Sequence, residues 1–176
     1  MLSLACGLGP DLTKDRVPRS PSPTPFIPEK PITEYMSEGR AAFVARDFQG
    51  AITPYKRAFE IEQRDPKLDK ILWHELVNNL ALSYGQTGDL KNARLVIAYG
   101  ISKDYRYPMF YYILACIHGQ EGDESNSVYY LSKAYEHKAN LSKGETLPDP
   151  LTDSSFSSFS SSDTFKQAVA KMKRAS

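Results

Sequence analysis

Residues 80–100 read LALSYGQTGDLKNARLVIAYG, and residues 113–135 read ILACIHGQEGDESNSVYYLSKAY. Both stretches place a glycine–aspartate pair at the same point of a helical pattern, so that Asp89 and Asp123 are 34 residues apart. This period is typical of helix–turn–helix arrays, in which no unit buries its apolar face alone and each stacks on its neighbours. The two stretches therefore predict an all-α array of stacked helix pairs that presents a groove.

A third unit lies upstream, at residues 39–60, which read GRAAFVARDFQGAITPYKRAFE. When the units are aligned on Asp47, Asp89 and Asp123, small residues share one column before the turn and another after it. The first column holds Gly39, Ala81 and Ala115, and the second holds Ala51, Ala93 and Ser127. Small side chains at these points allow two antiparallel helices to approach closely.

These units resemble the tetratricopeptide repeat family, whose pattern is a helix with leucine, small and tyrosine positions, a tight turn, and a second helix with spaced alanines. The second unit matches best, at Leu80, Ala81, Tyr84, Asp89, Leu90 and Ala93. The other units depart from the pattern at Glu38, Ala42, His118, Glu124 and Ser127. The resemblance covers residues 32–139 and implies a right-handed α-solenoid of about three units. An ordinary helical bundle with two coincidental turns is the alternative.

The spacing of the units is irregular, because Asp47 and Asp89 are 42 residues apart, eight more than the next interval. Eight residues correspond to about two helical turns. Pro66 disfavours helix at the residue before it, and apolar residues follow at helical spacing. We therefore predict a lengthened first helix in the second unit, from Lys67 to Gln86, with Trp73 packed over the end of the first unit rather than facing the groove.

Composition indicates one folded domain. The chain has 176 residues, 22 Lys and Arg against 21 Asp and Glu, a net charge of +1, and a mean hydropathy of −0.45. This balance lacks the basic stripe of a nucleic-acid-binding protein. The sequence also contains no apolar run long enough for a transmembrane helix.

The first 31 residues hold seven of the twelve prolines. Proline at this density is incompatible with helix or sheet and predicts a disordered, extended tether. A ligand for proline-reading domains is the alternative for this segment.

Residues 1–7, MLSLACG, resemble the end of a bacterial lipoprotein signal. The resemblance implies lipidation of Cys6 and anchoring in the bacterial cell envelope. The charged leading segment and most of the apolar stretch of such a signal are missing. The alternative is a cytoplasmic protein with a flexible terminus.

The C-terminal part reads as a cap. Residues 140–162 are loop-like and serine-rich, and Phe156 and Phe159 are spaced to pin one helical turn to the array. Residues 163–174 predict a helix in which Asp163 accepts hydrogen bonds from the first amides. Its stripe of Phe165, Val169 and Met172 predicts packing on the third unit, since terminal repeats need a covering helix. An amphipathic segment that binds a membrane or a partner is the alternative.

The sequence carries no motif for catalysis, a metal or a cofactor. His74 and Glu75 begin a zinc-helix pattern, but Asn78 stands where its second histidine belongs. Cys116 and His118 are two residues apart and point about 200° apart around a helix, so they do not form a nucleophile–base pair. The acidic loop with Asp149 and Asp153 has too few oxygen ligands for calcium. We therefore expect a non-enzymatic protein without a cofactor or metal.

The family resemblance implies a groove lined by the first helix of each unit, with extended peptides as the usual ligands. The residues expected to project into it are Arg40, Phe43, Asn79, Gln86, Tyr112, Cys116 and Gln120. Asn79 matches an asparagine that in this family often bonds to the main chain of the peptide. The main hypothesis is an adaptor that binds a protein or peptide of unknown identity. The alternative is a structural subunit of a multiprotein assembly, at the cell envelope or elsewhere, without a dissociable peptide ligand.

Overall fold

The computed structural model describes residues 30–175 and is all-α over that range. Six helices form three antiparallel pairs, and a seventh follows a long connection. They are α1 (Ile32–Val44), α2 (Phe48–Arg64), α3 (Lys70–Gln86), α4 (Leu90–Lys103), α5 (Pro108–Gln120), α6 (Glu124–Glu136) and α7 (Asp163–Ala175). Short 3₁₀ turns lie at Lys138–Asn140 and Ser154–Phe159. Each helix packs on the next, so the predicted α-solenoid with a C-terminal capping helix is confirmed. The proline-rich tether through Glu29 and Cys6 lie outside the described residues.

The three aspartates cap the second helix of each pair. Asp47 accepts a hydrogen bond from the amide of Gly50 at 2.8 Å, Asp89 from Asn92 at 3.1 Å, and Asp123 from Asn126 at 3.0 Å. Each bond satisfies one of the first four amides of a helix, which have no partner inside it. The recurrent aspartate is thus the residue that starts the second helix in each unit.

The residue before each capping aspartate has a left-handed backbone. Gly88 and Gly122 have φ of 81° and 75°, and Arg46 takes the same position with φ of 59°. Glycine adopts this conformation without penalty, whereas a residue with a side chain is strained there. The glycine–aspartate pattern therefore reflects the geometry of the turn, and the first unit forms it against the preference of its sequence.

Small residues hold each pair of helices close together. A methyl group on Gly39 would lie 2.7 Å from the ring of Tyr55, and one on Gly100 would lie 2.9 Å from Val77 and Phe110. The alanines of the aligned columns are fully buried: Ala51, Ala81, Ala93 and Ala115. Both predicted columns therefore lie at helix contacts.

The predicted start of α3 at Lys67 is wrong, because the helix begins at Lys70. Asp69 caps it by accepting a hydrogen bond from the amide of Leu72 at 2.9 Å. The buried carboxylate of Glu62 accepts hydrogen bonds from the amides of Lys67 and Leu68, which holds the loop after α2 in a non-helical path. The additional residues between Asp47 and Asp89 lengthen both helices of that interval. Helices α2 and α3 have 17 residues each, against 14 in α4 and 13 in α5.

Trp73 is half-buried and packs against the core, whereas its packing over the end of the first unit stays a prediction. Its ring lies edge-on to that of Phe110, with centroids 5.7 Å apart. Phe110 belongs to α5, so the tryptophan also joins the second unit to the third.

The C-terminal part closes the array. Phe156 and Phe159 are buried against α5 and α7, and Phe165 and Val169 are buried in the same cluster, with Met172 half-buried beside them. The predicted stripe therefore packs on the third unit. The cap of α7 is Ser162 rather than the predicted Asp163. The hydroxyl of Ser162 accepts a hydrogen bond from the amide of Phe165 at 3.2 Å, and Asp163 lies inside the first turn.

Candidate functional site: the inner face of the array

The first helices of the three units lie side by side, since α3 contacts both α1 and α5. We call the surface of α1, α3 and α5 that points away from α2, α4 and α6 the inner face. This is the surface on which the sequence places the groove.

An ion pair joins the first two units on the inner face. Arg40 donates to Glu75 through Nε at 2.6 Å and Nη2 at 2.5 Å, and the arginine side chain remains half-exposed. The hydrogen bond to Glu75 raises the pKa of Arg40. Such a two-pronged contact fixes the plane of the guanidinium. Arg40 thus has an intramolecular partner in place of the peptide that the sequence predicts.

Phe43 and Asn79 are turned towards α2. The ring of Phe43 lies edge-on to Phe48 and Tyr55, with centroids 5.5 and 6.5 Å apart. The side-chain amide of Asn79 donates to the hydroxyl of Tyr55 at 3.0 Å. Tyr55 is fully buried, so this bond satisfies a hydroxyl that water does not reach. Both residues are half-buried: Phe43 packs within the first unit, and Asn79 joins the second unit to the first.

Gln86 and Gln120 are exposed and line a cavity of about 140 Å³ between α3, α5 and the C-terminal connection. Its walls also include Leu82, Met109, Tyr112, Cys116, Pro148 and Asp153. The structure therefore brings Gln86 of α3 together with Tyr112 and Gln120 of α5, which follow it by 26 and 34 residues.

The connection between α6 and α7, residues 137–162, covers Tyr112 and Cys116. The Tyr112 hydroxyl donates to Oδ2 of Asp153 at 2.9 Å, and Sγ of Cys116 lies 3.8 Å from the same oxygen. Tyr112 is 3% exposed and Cys116 7%. Burial raises the pKa of both side chains well above the usual range. The thiol is therefore protonated at neutral pH and is not a nucleophile.

The cover lies directly on the backbone of α5. A methyl group on Gly119 would collide with the carbonyl oxygen of Ser155 and would lie 2.8 Å from the ring of Phe156. The spacing of Phe156 and Phe159 predicts a turn pinned to the array but does not show that this turn lies on the inner face. Gly119, one residue before the end of α5, is the signal that marks this close approach.

A buried polar cluster that no sequence motif indicates lies at the junction of the second and third units. The ring of His74 stacks on that of Tyr107, with centroids 3.6 Å apart, and its Nε2 lies 3.1 Å from Asp104. Asn78 donates to the hydroxyl of Tyr107, which in turn donates to Glu145 at 3.0 Å. Burial lowers the pKa of His74. His74 is thus a neutral core residue, and this cluster ties the connection after α6 to the array.

Cys116 and His118 have different surroundings, as the sequence predicts. Cys116 faces Asp153, whereas the ring of His118 stacks on Tyr130 of α6 with centroids 5.3 Å apart. Within residues 30–175, no group of three or more His, Cys, Asp and Glu side chains is arranged to hold a metal ion. No helix in the same range is long and apolar enough to span a membrane.

The fold that these helix pairs define is a solenoid of tetratricopeptide-like units. Among solved structures, it is similar to PcrH from Pseudomonas aeruginosa, with 14% sequence identity and a TM-score of 0.53. The match covers 81% of this chain and 91% of the PcrH chain. At this identity the likeness shows the fold alone. No protein-family model and no curated protein matches the chain.

Proposed function

We propose that the protein is a non-enzymatic adaptor whose inner face binds an extended segment of a partner protein. The observation that carries this proposal is a strip of the first two units that the fold leaves uncovered. Ile71 is 65% exposed and Val44 76%. Each lies one helical turn from a member of the Arg40–Glu75 pair, so apolar side chains flank the ion pair on the same face.

Two properties of this strip suit a peptide. The apolar side chains offer area to remove from water, at about 25 cal/mol per Å². The ion pair offers donors and acceptors for a main chain, and Gln86 and Gln120 offer more where the inner face continues to the α3–α5 junction. A mixed surface of this kind supports recognition of an extended segment, whose affinity comes from a few buried anchors within a polar rim.

Peptide selection tests the proposal. Peptides selected from a random library on the full chain should bind the wild type and lose at least tenfold in affinity on Ile71→Asp, measured by calorimetry. Leu95→Asp is the matched control, because Leu95 is 60% exposed on α4, away from the inner face. Equal losses for both variants, or none for either, would place the site elsewhere.

The second candidate function is a structural subunit of a larger assembly. Its support is the exposure of large apolar side chains outside the inner face, Leu95 on α4 and Tyr129 on α6. Light scattering on the purified chain separates the two functions. A monomer that binds selected peptides supports the adaptor, and a fixed oligomer that binds none supports the subunit.

For the N-terminus we propose lipidation of Cys6, on the strength of residues 1–7 alone. Metabolic labelling with a fatty-acid analogue should mark the full-length protein in a bacterial host and should fail with Cys6→Ala. The buried, protonated thiol of Cys116 is a poor competitor for such a label. Absence of label on the wild type would exclude the lipoprotein.

A further inference from the structure

We infer that residues 148–156 are a built-in ligand of the third unit, and that the partner segment which binds there displaces them and shares their chemistry. That chemistry is a carboxylate followed three residues later by an aromatic ring, as in Asp153 and Phe156. We call residues 148–156 the cover segment. The inference rests on the proposed function, because it names the ligand class of one part of the same inner face.

The carboxylate of Asp153 makes the polar contact between the cover segment and α5. Its Oδ2 accepts from the Tyr112 hydroxyl at 2.9 Å, and its Oδ1 accepts from the amide of Ser155 at 2.9 Å. One oxygen thus shapes the segment's own turn and the other contacts the array. A hydrogen bond to a charged acceptor is stronger than one between neutral groups, so the tyrosine hydroxyl is suited to recognise a carboxylate.

The aromatic ring of Phe156 makes the apolar contact. The ring is buried, lies edge-on to Tyr112 with centroids 6.1 Å apart, and covers the bare backbone at Gly119. The Ser155 carbonyl oxygen comes closer still, since it would lie 2.4 Å from a methyl group on Gly119. The third unit therefore accepts the backbone of an incoming segment together with one aromatic side chain.

The contacts of the cover segment with α5 are concentrated in residues 153–156, so a segment that competes for these positions would displace the cover. Asp153, Ser155 and Phe156 make these contacts, whereas Leu151 and Ser154 are exposed. The 3₁₀ stretch that begins at Ser154 is interrupted at Phe156, where the backbone is not helical, and the cavity beside it leaves part of the α3–α5 junction unfilled. Segments with few buried contacts open locally at a lower free energy than the core does.

The rate at which an aromatic disulfide reagent labels Cys116 reports the opening of the cover segment. The experiment uses the full chain carrying Cys6→Ser, so that Cys116 is the only cysteine. Tyr112→Phe removes the bond to Asp153 and should raise the labelling rate about tenfold, since a lost bond to a charged group costs at least that factor. Tyr55→Phe is the matched control, because it removes an equally buried hydroxyl bonded to Asn79, far from the cover segment. It should leave the rate unchanged. Equal acceleration by both variants would mean that labelling follows global unfolding and would overturn the inference.

Binding in trans tests the ligand class. The probe is a fluorescent peptide of residues 147–158, LPDPLTDSSFSS, measured by anisotropy. Asp153→Asn in the protein weakens its own cover segment but keeps Tyr112, so the peptide should bind this variant at least tenfold more tightly than the wild type. The same peptide with asparagine at position 153 should lose that gain. Adding Gly119→Ala to the protein should abolish binding, because it blocks the backbone approach.

The two tests keep this inference separate from the proposed function. Peptides that depend on Ile71 and bind the first two units would establish the adaptor even if the 147–158 peptide fails. A folded Asp153→Asn protein, shown by unchanged circular dichroism, that binds no 147–158 peptide would overturn the inference alone.

Discussion

Backbone conformation at a single residue sets each of the three inter-helix turns. Arg46 takes a left-handed conformation that Gly88 and Gly122 take in the other units. A side chain there costs about 1–2 kcal/mol, against an entropic cost of about 0.5–1 kcal/mol for glycine. We therefore expect Arg46→Gly to raise the free energy of unfolding by about 0.5–1 kcal/mol in urea titrations. Gly88→Ala should lower it by about 1 kcal/mol, and a loss of stability in Arg46→Gly would contradict this account.

The capping aspartates make stability depend on pH. Hydrogen bonds from Asn92 and Asn126 lower the pKa of Asp89 and Asp123 below the ordinary value near 3.9. When folding lowers the pKa of a carboxyl group, its ionised form stabilises the folded state at every pH above the pKa of the unfolded state. That stability is lost as the pH falls through the pKa of the folded state. We therefore expect the urea midpoint to fall as pH drops below about 4.

The control for this titration replaces both carboxylates without removing the caps. Asparagine caps a helix about as well as aspartate does, so Asp89→Asn with Asp123→Asn should show a shallower fall between pH 4 and pH 2.5. Parallel curves for the wild type and this double variant would show that other carboxylates are responsible.

Among the helices, α7 shows how one cap fixes a whole element. The Ser162 hydroxyl accepts the amide of Phe165 and donates to Glu124 of α6 at 2.9 Å, so it both starts α7 and ties it to the third unit. Ser162→Ala should cost about 1 kcal/mol, the usual range for a lost N-cap being about 0.5–2 kcal/mol. Ser161→Ala, at an exposed neighbour, should change stability by less than about 0.5 kcal/mol. Thermal unfolding followed by circular dichroism measures both, and equal effects would exclude Ser162 as the cap.

The helix pairs were predictable from sequence because their determinants are local. The aspartate caps, the left-handed glycines and the alanine columns all lie within one 34-residue unit. The start of α3 was not predictable, because Glu62 from the preceding helix holds Lys67 and Leu68 out of the helix. Local pattern also named Ser162's neighbour Asp163 as the cap, although both residue types are favoured at that position.

The surroundings of the predicted groove residues also depend on parts of the chain that are distant in sequence. Arg40 pairs with Glu75 of α3, and Gln86 and Gln120 line the cavity at the α3–α5 junction, but their role in binding a peptide stays a prediction. Tyr112 is covered because Asp153, some 40 residues later, reaches it through a connection with no repeat pattern. A pairing of this kind leaves only weak traces in sequence, here a glycine at 119 and an aspartate three residues before a phenylalanine.

At the scale of the whole molecule, stability depends on the junctions between units, because each unit contacts only its neighbours. Phe110 is fully buried at the junction of the second and third units, where its ring contacts those of Trp73, His74 and Tyr107. Phe110→Ala should cost about 3–5 kcal/mol, the range for emptying a buried phenylalanine site.

The same substitution should also uncouple the units. Trp73 is the only tryptophan in the chain and lies beside Phe110, so its fluorescence reports on this junction. In the wild type we expect fluorescence and circular dichroism to change together in urea, as for a two-state domain. In Phe110→Ala the fluorescence change should occur at lower urea than the loss of helix, because the weakened junction opens first. Phe43→Ala, which removes a ring packed within the first unit, should lower the midpoint without separating the two signals. Coincident transitions in Phe110→Ala would show that the array unfolds as one unit whatever the strength of this junction.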